Sequence, residues 1–250
     1  MFSLKGKNII ITGASSGIGR DFAISASKME ANLILIGRSP DRLKKTFDLL
    51  NQGKHFFFSY NLTDIQGIEG LISNIVTEVG KIDGFVHSAG IELTKPLQSI
   101  KMEDYTEIYT TNVFSALEIA KHITKKKNIN PDGGSIVFIS SVMGITGESG
   151  KIAYSSSKSA IIGACKSMAI ELAAKKIRVN CVLPGVVNTE MIDNMFSSLP
   201  ESSVIEIKNK HPLGLGEPSD VSNVILFLIS DASRWITGTN IIVDGGYSAR

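Results

Sequence analysis

Cysteine, histidine and net charge are all scarce in this chain, and each scarcity closes off a class of function. Only two cysteines occur, Cys165 and Cys181, in no metal-ligand or redox spacing. Their apolar neighbours, Ala164 and Val182, suit small buried side chains in a reducing compartment. The four histidines, His55, His87, His122 and His211, are equally scattered, so no metal is expected. Basic residues number 26 and acidic ones 24, a formal net charge of +2. That balance creates no demand for nucleic acid or an anionic membrane surface. The densest basic run, Lys125-Lys126-Lys127, reads as a solvated helix end. No apolar run, such as residues 224–229, is long enough to span a bilayer. The first residues lead directly into a strand-like segment with no apolar signal region, so a soluble cytoplasmic protein is expected. Repeats, low-complexity tracts and linkers are also lacking, and residues 1–250 read as one domain.

The chain is rich, by contrast, in alternation. Short β-branched runs at 8–12, 32–37, 55–59, 84–87, 135–140, 178–183 and 239–243 predict strands. Between them, amphipathic stretches at 18–29, 41–50, 64–79, 102–123, 152–174 and 218–229 predict helices. Leu33-Ile34-Leu35-Ile36 is continuously apolar, as a parallel strand covered on both faces must be. Alternating β and α elements with right-handed crossovers give a doubly wound, Rossmann-type α/β sheet. The least regular stretch, 188–216, reads as a loop, either over a site or on an ordinary surface.

The first strand runs straight into Thr12-Gly13-Ala14-Ser15-Ser16-Gly17-Ile18-Gly19. Gly13, Gly17 and Gly19 allow a tight turn and close approach to a pyrophosphate, and the helix that follows supplies unpaired N–H donors. The same residues also satisfy Gly-x-Ser-x-Gly, a hydrolase nucleophile elbow with Ser15 as nucleophile and His211 as the late histidine. That elbow belongs deep in a sheet behind an oxyanion loop, whereas this turn sits on the first strand. Dinucleotide binding is the better reading.

Dinucleotide folds commonly place an acid near the end of the second strand to hold ribose hydroxyls. Here Gly37 is followed by Arg38 and Ser39, and an arginine attracts a 2′-phosphate that a carboxylate would repel. NADP(H) is therefore expected over NAD(H), the alternative being Asp41 on the ribose. Tyr154 and Lys158 stand at i, i+4 on one helix face. A phenol titrates near about 10, and bringing it to about 7 requires roughly 4 kcal/mol. An ammonium about 4 Å away at an effective dielectric near 20 supplies a gross interaction of that order.

Together these motifs resemble the short-chain dehydrogenases/reductases over essentially the whole chain. The resemblance rests on the glycine turn, Asn61-Leu62-Thr63-Asp64, Ala89-Gly90, Asn112, Ser141, Tyr154 with Lys158, and Pro184-Gly185-Val186-Val187-Asn188-Thr189. It implies a seven-stranded parallel sheet with helices on both faces, and a homo-oligomer, tetramer or dimer. It implies Tyr154 as general acid/base, Lys158 as its partner and a holder of ribose hydroxyls, and Ser141 on the substrate oxygen, with adjacent Ser140 the alternative. Asn112 is implied to anchor a water linking Lys158 to solvent, and Thr189 to fix the nicotinamide carboxamide. Cofactor contacts are implied for Gly13, Ser15, Ser16, Gly17, Ile18, Gly19, Arg38, Ser39, Asn61, Leu62, Ala89, Gly90, Pro184, Gly185 and Val187. The chain departs from the family at His87-Ser88, where relatives carry Asn-Asn. Among members it looks most like 3-oxoacyl-[acyl-carrier-protein] reductases, which implies a carrier-bound carbonyl substrate, with Lys175 and the Lys125–Lys127 run as candidate docking positions. Sugar, steroid or small-alcohol dehydrogenases using NAD(H) share these residues, and a non-catalytic NADP(H) sensor is the alternative of another class.

Overall fold

A computed structural model describes residues 3–197 and 199–249. The chain begins β1 (Asn8–Thr12), α1 (Gly17–Ser27), β2 (Asn32–Gly37), α2 (Pro40–Phe47), β3 (Phe56–Ser59), α3 (Ile68–Val79) and β4 (Gly84–His87). It continues α4 (Met102–Tyr109), α5 (Ser115–Ile123), β5 (Gly134–Ile139), α6 (Ile152–Leu172) and β6 (Ile177–Pro184). It then runs α7 (Glu190–Ser197), α8 (Glu201–Asn209), α9 (Pro218–Ile229) and β7 (Asn240–Val243). The seven strands form one parallel sheet in the order β3-β2-β1-β4-β5-β6-β7.

Period-two alternation along each buried strand divides the core into two layers. Ile9, Ile11, Leu33, Leu35 and Val137 face α1, α2 and α9, meeting Phe22, Leu43 and Ile225. Ile10, Ile34, Ile36, Phe85 and Phe138 face the other way onto α3, α5 and α6, meeting Ile72, Ile119 and Ile161. Both faces are thus covered, as the continuous apolar runs require. Local chemistry sets where helices begin. The Ser39 hydroxyl accepts the Arg42 N–H at 3.3 Å, Pro40 opens the first turn of α2, and Asp41 sits in it, where a negative charge favours a helix N-terminus.

Two predicted elements are corrected. The expected helix 102–123 is interrupted by a π-turn, Thr110–Phe114, between α4 and α5. Stretch 188–216, expected to be a loop, contains α7 and α8. It closes on itself where Val187 bridges Gly216. No helix among the described residues is long and apolar enough to cross a membrane.

Candidate active site

A cleft of about 330 Å³ opens at the C-terminal ends of the strands. Strand order reverses between β1 and β4, and that crevice is where open α/β sheets receive ligands. Most residues singled out by sequence line it: Gly13, Ser15, Ser16, Gly17, Ile18, Arg38, Asn61, Leu62, Ala89, Gly90, Ser141, Tyr154, Lys158, Pro184, Gly185, Val187 and Thr189. Gly19, Ser39 and Asn112 do not line it, for separate reasons.

Gly13 adopts φ +67°, and a Cβ there would lie 2.7 Å from the Ala89 nitrogen. Only glycine lets the turn lie this close to the end of β4. Gly19 is beneath the turn, where a Cβ would approach the Gly13 carbonyl oxygen to 2.5 Å, so it shapes the loop without facing the cleft. Ser16 caps α1 with no side-chain bond, leaving the first N–H groups of the helix for an anion. The Arg20 guanidinium braces the turn from behind by donating to the Ser15 carbonyl.

At the end of β2, Arg38 is exposed and lines the cleft, and among the described residues its side chain has no hydrogen-bond or ion-pair partner. Ser39 is spent on capping α2, and Asp41 lies in that helix's first turn, so no acid from this stretch lines the cleft. Asn61 accepts the Thr63 N–H at 3.3 Å, as a turn asparagine does, and still lines the cleft beside Leu62.

The serine alternatives separate cleanly. The Ser140 hydroxyl donates to the Lys158 carbonyl at 2.9 Å, whereas Ser141 lines the cleft and pulls the Tyr154 phenol down. Ser141 also accepts the Met143 N–H at 3.1 Å as it starts a 3-10 turn, which fixes its hydroxyl toward the cleft. Lys158 is buried and donates to the Ile139 carbonyl at 2.8 Å, its Nζ standing 5.6 Å from the Tyr154 ring centre. Asn112, in the π-turn, is buried behind this group. Its Oδ1 accepts the Ile91 N–H at 2.8 Å, and its Nδ2 donates to the Ile91 carbonyl at 3.0 Å and to Ser157 at 3.1 Å. Asn112 therefore braces the chain after Gly90 against α6, one residue before Lys158.

The expected lowering of the phenol by Lys158 is not what the protein alone provides. Burial pushes Tyr154 up to about 12, with Ser141 pulling down and Glu92 pushing up. Burial also pulls Lys158 down to about 8. Desolvation opposes both charged forms at once, and the lysine's proton is directed at Ile139 rather than at the phenol. The unaided protein thus presents a neutral phenol, a proton donor.

The hydrolase alternative fails on His211. Its Nε2 accepts the Val186 N–H at 3.1 Å, so its Nδ1 carries the proton and donates to Ile207 at 2.9 Å. Neither nitrogen is free to serve Ser15. Among the described residues, no group of three or more His, Cys, Asp or Glu side chains could hold a metal.

With this geometry established, similarity to other proteins becomes informative. The family profile described as "Enoyl-(Acyl carrier protein) reductase" matches residues 13–248. A short-chain type dehydrogenase/reductase from Mycobacterium ulcerans is similar in structure, with TM-score 0.90 and 30% identity, covering 99% of this chain and 92% of that one. The chain belongs to the short-chain dehydrogenases/reductases. Among curated members, the 3-oxoacyl-[acyl-carrier-protein] reductase of Thermotoga maritima is 37% identical, covering 97% of this chain and 98% of the relative. That of Escherichia coli is 33% identical, each chain covered to 98%. This member of the short-chain dehydrogenases/reductases is accordingly an NAD(P)-dependent oxidoreductase with a Rossmann-type fold.

Several cleft residues of this dehydrogenase/reductase escaped the sequence reading: Arg42, Glu107, Thr111, Glu190, Met191 and Ile192. The signal for the last two was available, because Met191, Ile192, Met195 and Phe196 recur at helical spacing on α7. Arg42 carried no motif. The lysines considered for docking lie elsewhere. Lys125 pairs with Glu69 at 2.6 Å, and Lys175 donates to the Thr124 carbonyl at 3.4 Å. Both precede the starts of β5 and β6, at the opposite end of the sheet from the cleft of the same chain.

Proposed function

We propose that this enzyme transfers hydride between NADP(H) and a carbonyl/secondary-alcohol pair, with a 3-oxoacyl thioester on an acyl carrier as substrate. The observation that carries the reading is that Ser141, Tyr154 and Lys158 line one cleft, with the Lys158 Nζ 5.6 Å from the Tyr154 ring centre.

The residues present fit a dinucleotide. The Gly13 cradle would be filled by any Cβ, the start of α1 has no side-chain cap, and the Arg38 side chain has no partner among the described residues. Gly13, Ser15, Ser16, Gly17 and Ile18 would hold the pyrophosphate, Asn61 and Leu62 the adenine, and Arg38 the 2′-phosphate. Ala89, Gly90, Pro184, Gly185, Val187 and Thr189 would border the nicotinamide half, Thr189 on its carboxamide and Lys158 on its ribose. When bound, the nicotinamide supplies or accepts hydride, and its oxidised form adds positive charge next to Tyr154.

This chain's own groups manage the proton. Tyr154, held neutral by burial, donates to the substrate oxygen in reduction and recovers a proton in the reverse direction. Ser141 donates a second hydrogen bond to that oxygen, where negative charge develops. Lys158, when charged, favours the phenolate left behind, and Ser140 and Asn112 position it through its carbonyl and through Ser157. Two hydroxyl-bearing side chains on one cleft suit an oxygen that gains charge. This favours carbonyl reduction over the carbon–carbon double bond named in the family description. The names of the similar proteins support the thioester substrate. The presence of both Tyr154 and Lys158 speaks against a non-catalytic binder.

Apolar side chains left exposed, Phe114 and Ile170, support a homo-oligomer, dimer or tetramer, and two free buried cysteines suit the reducing cytoplasm. The deciding experiment assays 3-oxoacyl and enoyl thioesters, sugars, steroids and small secondary alcohols with NADPH and NADH. The expected result is 3-oxoacyl reduction with NADPH. Turnover confined to sugars, steroids or small alcohols with NADH overturns the substrate and cofactor assignments together.

A further inference from the structure

One carboxylate ties α7 to the phosphate half of the cleft. Thr189, just before α7, packs against Gly17, its methyl 3.1 Å from where a Cβ would stand. This contact delivers Glu190, the first residue of α7, to two arginines on other helices. Glu190 is ion-paired with Arg42 of α2, and Arg20 Nη1 of α1 stands 3.9 Å from it. Glu190 and Arg42 both line the cleft, and so does Arg38, one helical turn before Arg42. The two cleft arginines therefore differ. Among the described residues the Arg38 side chain has no partner, whereas Arg42 is already occupied.

We infer that Glu190 is a specificity-determining residue: it occupies Arg42 and is exchanged for the 2′-phosphate of the cofactor. The inference rests on the NADP(H) reading above and concerns what Glu190 does to it. The Arg42 and Glu190 side chains are 44% and 53% exposed, so their pair is screened by solvent and weak. A phosphate offers the guanidinium a doubly charged, bidentate acceptor, so the exchange proceeds toward it. Until then Glu190 subtracts from the positive field that Arg38 and Arg42 create, and it repels a phosphate approaching Arg38. NADH, which carries no 2′-phosphate, has no need to displace it. Because Glu190 begins α7, the same exchange releases that helix from α2, linking 2′-phosphate recognition to the segment over the cleft.

The test is calorimetric titration of the full chain, wild type, Glu190→Gln, Arg42→Gln and the double variant, with NADPH and with NADH. Glu190→Gln is expected to tighten NADPH by about threefold to fivefold and leave NADH unchanged. The gain should shrink when Arg42 is already Gln, since the competed partner is gone. Glu190→Asp, one methylene shorter, should fall between wild type and Gln. Unchanged or weaker NADPH binding by Glu190→Gln, or an equal gain for NADH, overturns the inference. The cofactor reading fails separately: it falls if the wild type binds NADH as tightly as NADPH, whatever Glu190→Gln does.

Discussion

Thr12 and His87 are register partners across the reversal point of the sheet, and their side chains meet at 2.9 Å. The Thr12 hydroxyl also accepts the Ala89 N–H at 3.3 Å. A hydroxyl that accepts one N–H can still donate, and with the Thr12 proton on His87 Nδ1 a neutral ring carries its own on Nε2. Among the described residues that nitrogen is buried without a partner in hydrogen-bonding geometry, and the Thr111 backbone favours the ring's protonated form. Burial first, and then the Lys158 ammonium, push His87 down to about 3. Long-range proton–nitrogen spectra of the labelled protein should show His87 neutral and protonated at Nε2 at pH 5. A ring protonated at Nδ1, or charged at that pH, removes the assignment.

The same histidine predicts acid lability. Its folded value lies below the ordinary 6.5, so its contribution is complete above pH 6.5 and is lost as pH falls toward 3. In that window the unfolded chain takes up a proton that the folded chain refuses, costing about 1.4 kcal/mol per pH unit. Between pH 7 and pH 5, wild type should lose roughly 2 kcal/mol more unfolding free energy than His87→Asn, measured by urea titration. Parallel losses in both proteins would count against a buried neutral ring.

Replacing Tyr154 by Phe removes the proton donor and little else. Reduction should fall by about 10²–10⁴, the range of positioned acid catalysis, while NADPH binding stays nearly intact. A variant that keeps most of its turnover disproves the acid/base role.

Arg38→Asp should weaken NADPH far more than NADH, because the new carboxylate repels the 2′-phosphate and can accept ribose hydroxyls. Dissociation constants for both cofactors decide it, and equal losses exclude a 2′-phosphate contact.

The paired serines should separate in kinetics. Ser141→Ala is expected to reduce kcat and, by removing the cap on the Met143 N–H, to cost about 1 kcal/mol of stability as well. Ser140→Ala leaves the buried Lys158 carbonyl without its donor and should cost about 1 kcal/mol of stability. Steady-state rates and melting curves on the two variants provide the comparison, and the opposite pattern in the rates would exchange their roles.

Strand positions were readable to within a residue, because a strand buried on both faces must be apolar throughout, as Leu33 to Ile36 are. The glycine turn was readable for a similar reason: close contact with Ala89 admits no side chain at Gly13. What periodicity could not reveal was the π-turn, since one widened turn changes where Asn112 points without altering the amphipathic pattern around it. Nor could i, i+4 spacing give the sign of the Tyr154 shift, which is set first by burial, with Ser141 and Glu92 acting in opposite directions. Arg42 and Glu190 are 148 residues apart in the chain, and only the folded approach of α7 to α2 joins them.

The segment carrying α7 and α8 leaves and re-enters the fold at one pair of anchors. The Asn188 N–H donates to the Gly216 carbonyl at 2.8 Å, and the Gly216 N–H donates to the Val186 carbonyl at 3.0 Å. Just inside those anchors Thr189 packs against Gly17, Glu190 pairs with Arg42, and His211 accepts the Val186 N–H. Doubling the length of chain between Glu190 and His211 would add only about 0.6 kcal/mol of closure entropy. Evolution can therefore lengthen the stretch between those ties while the ties themselves hold the strand ends in place.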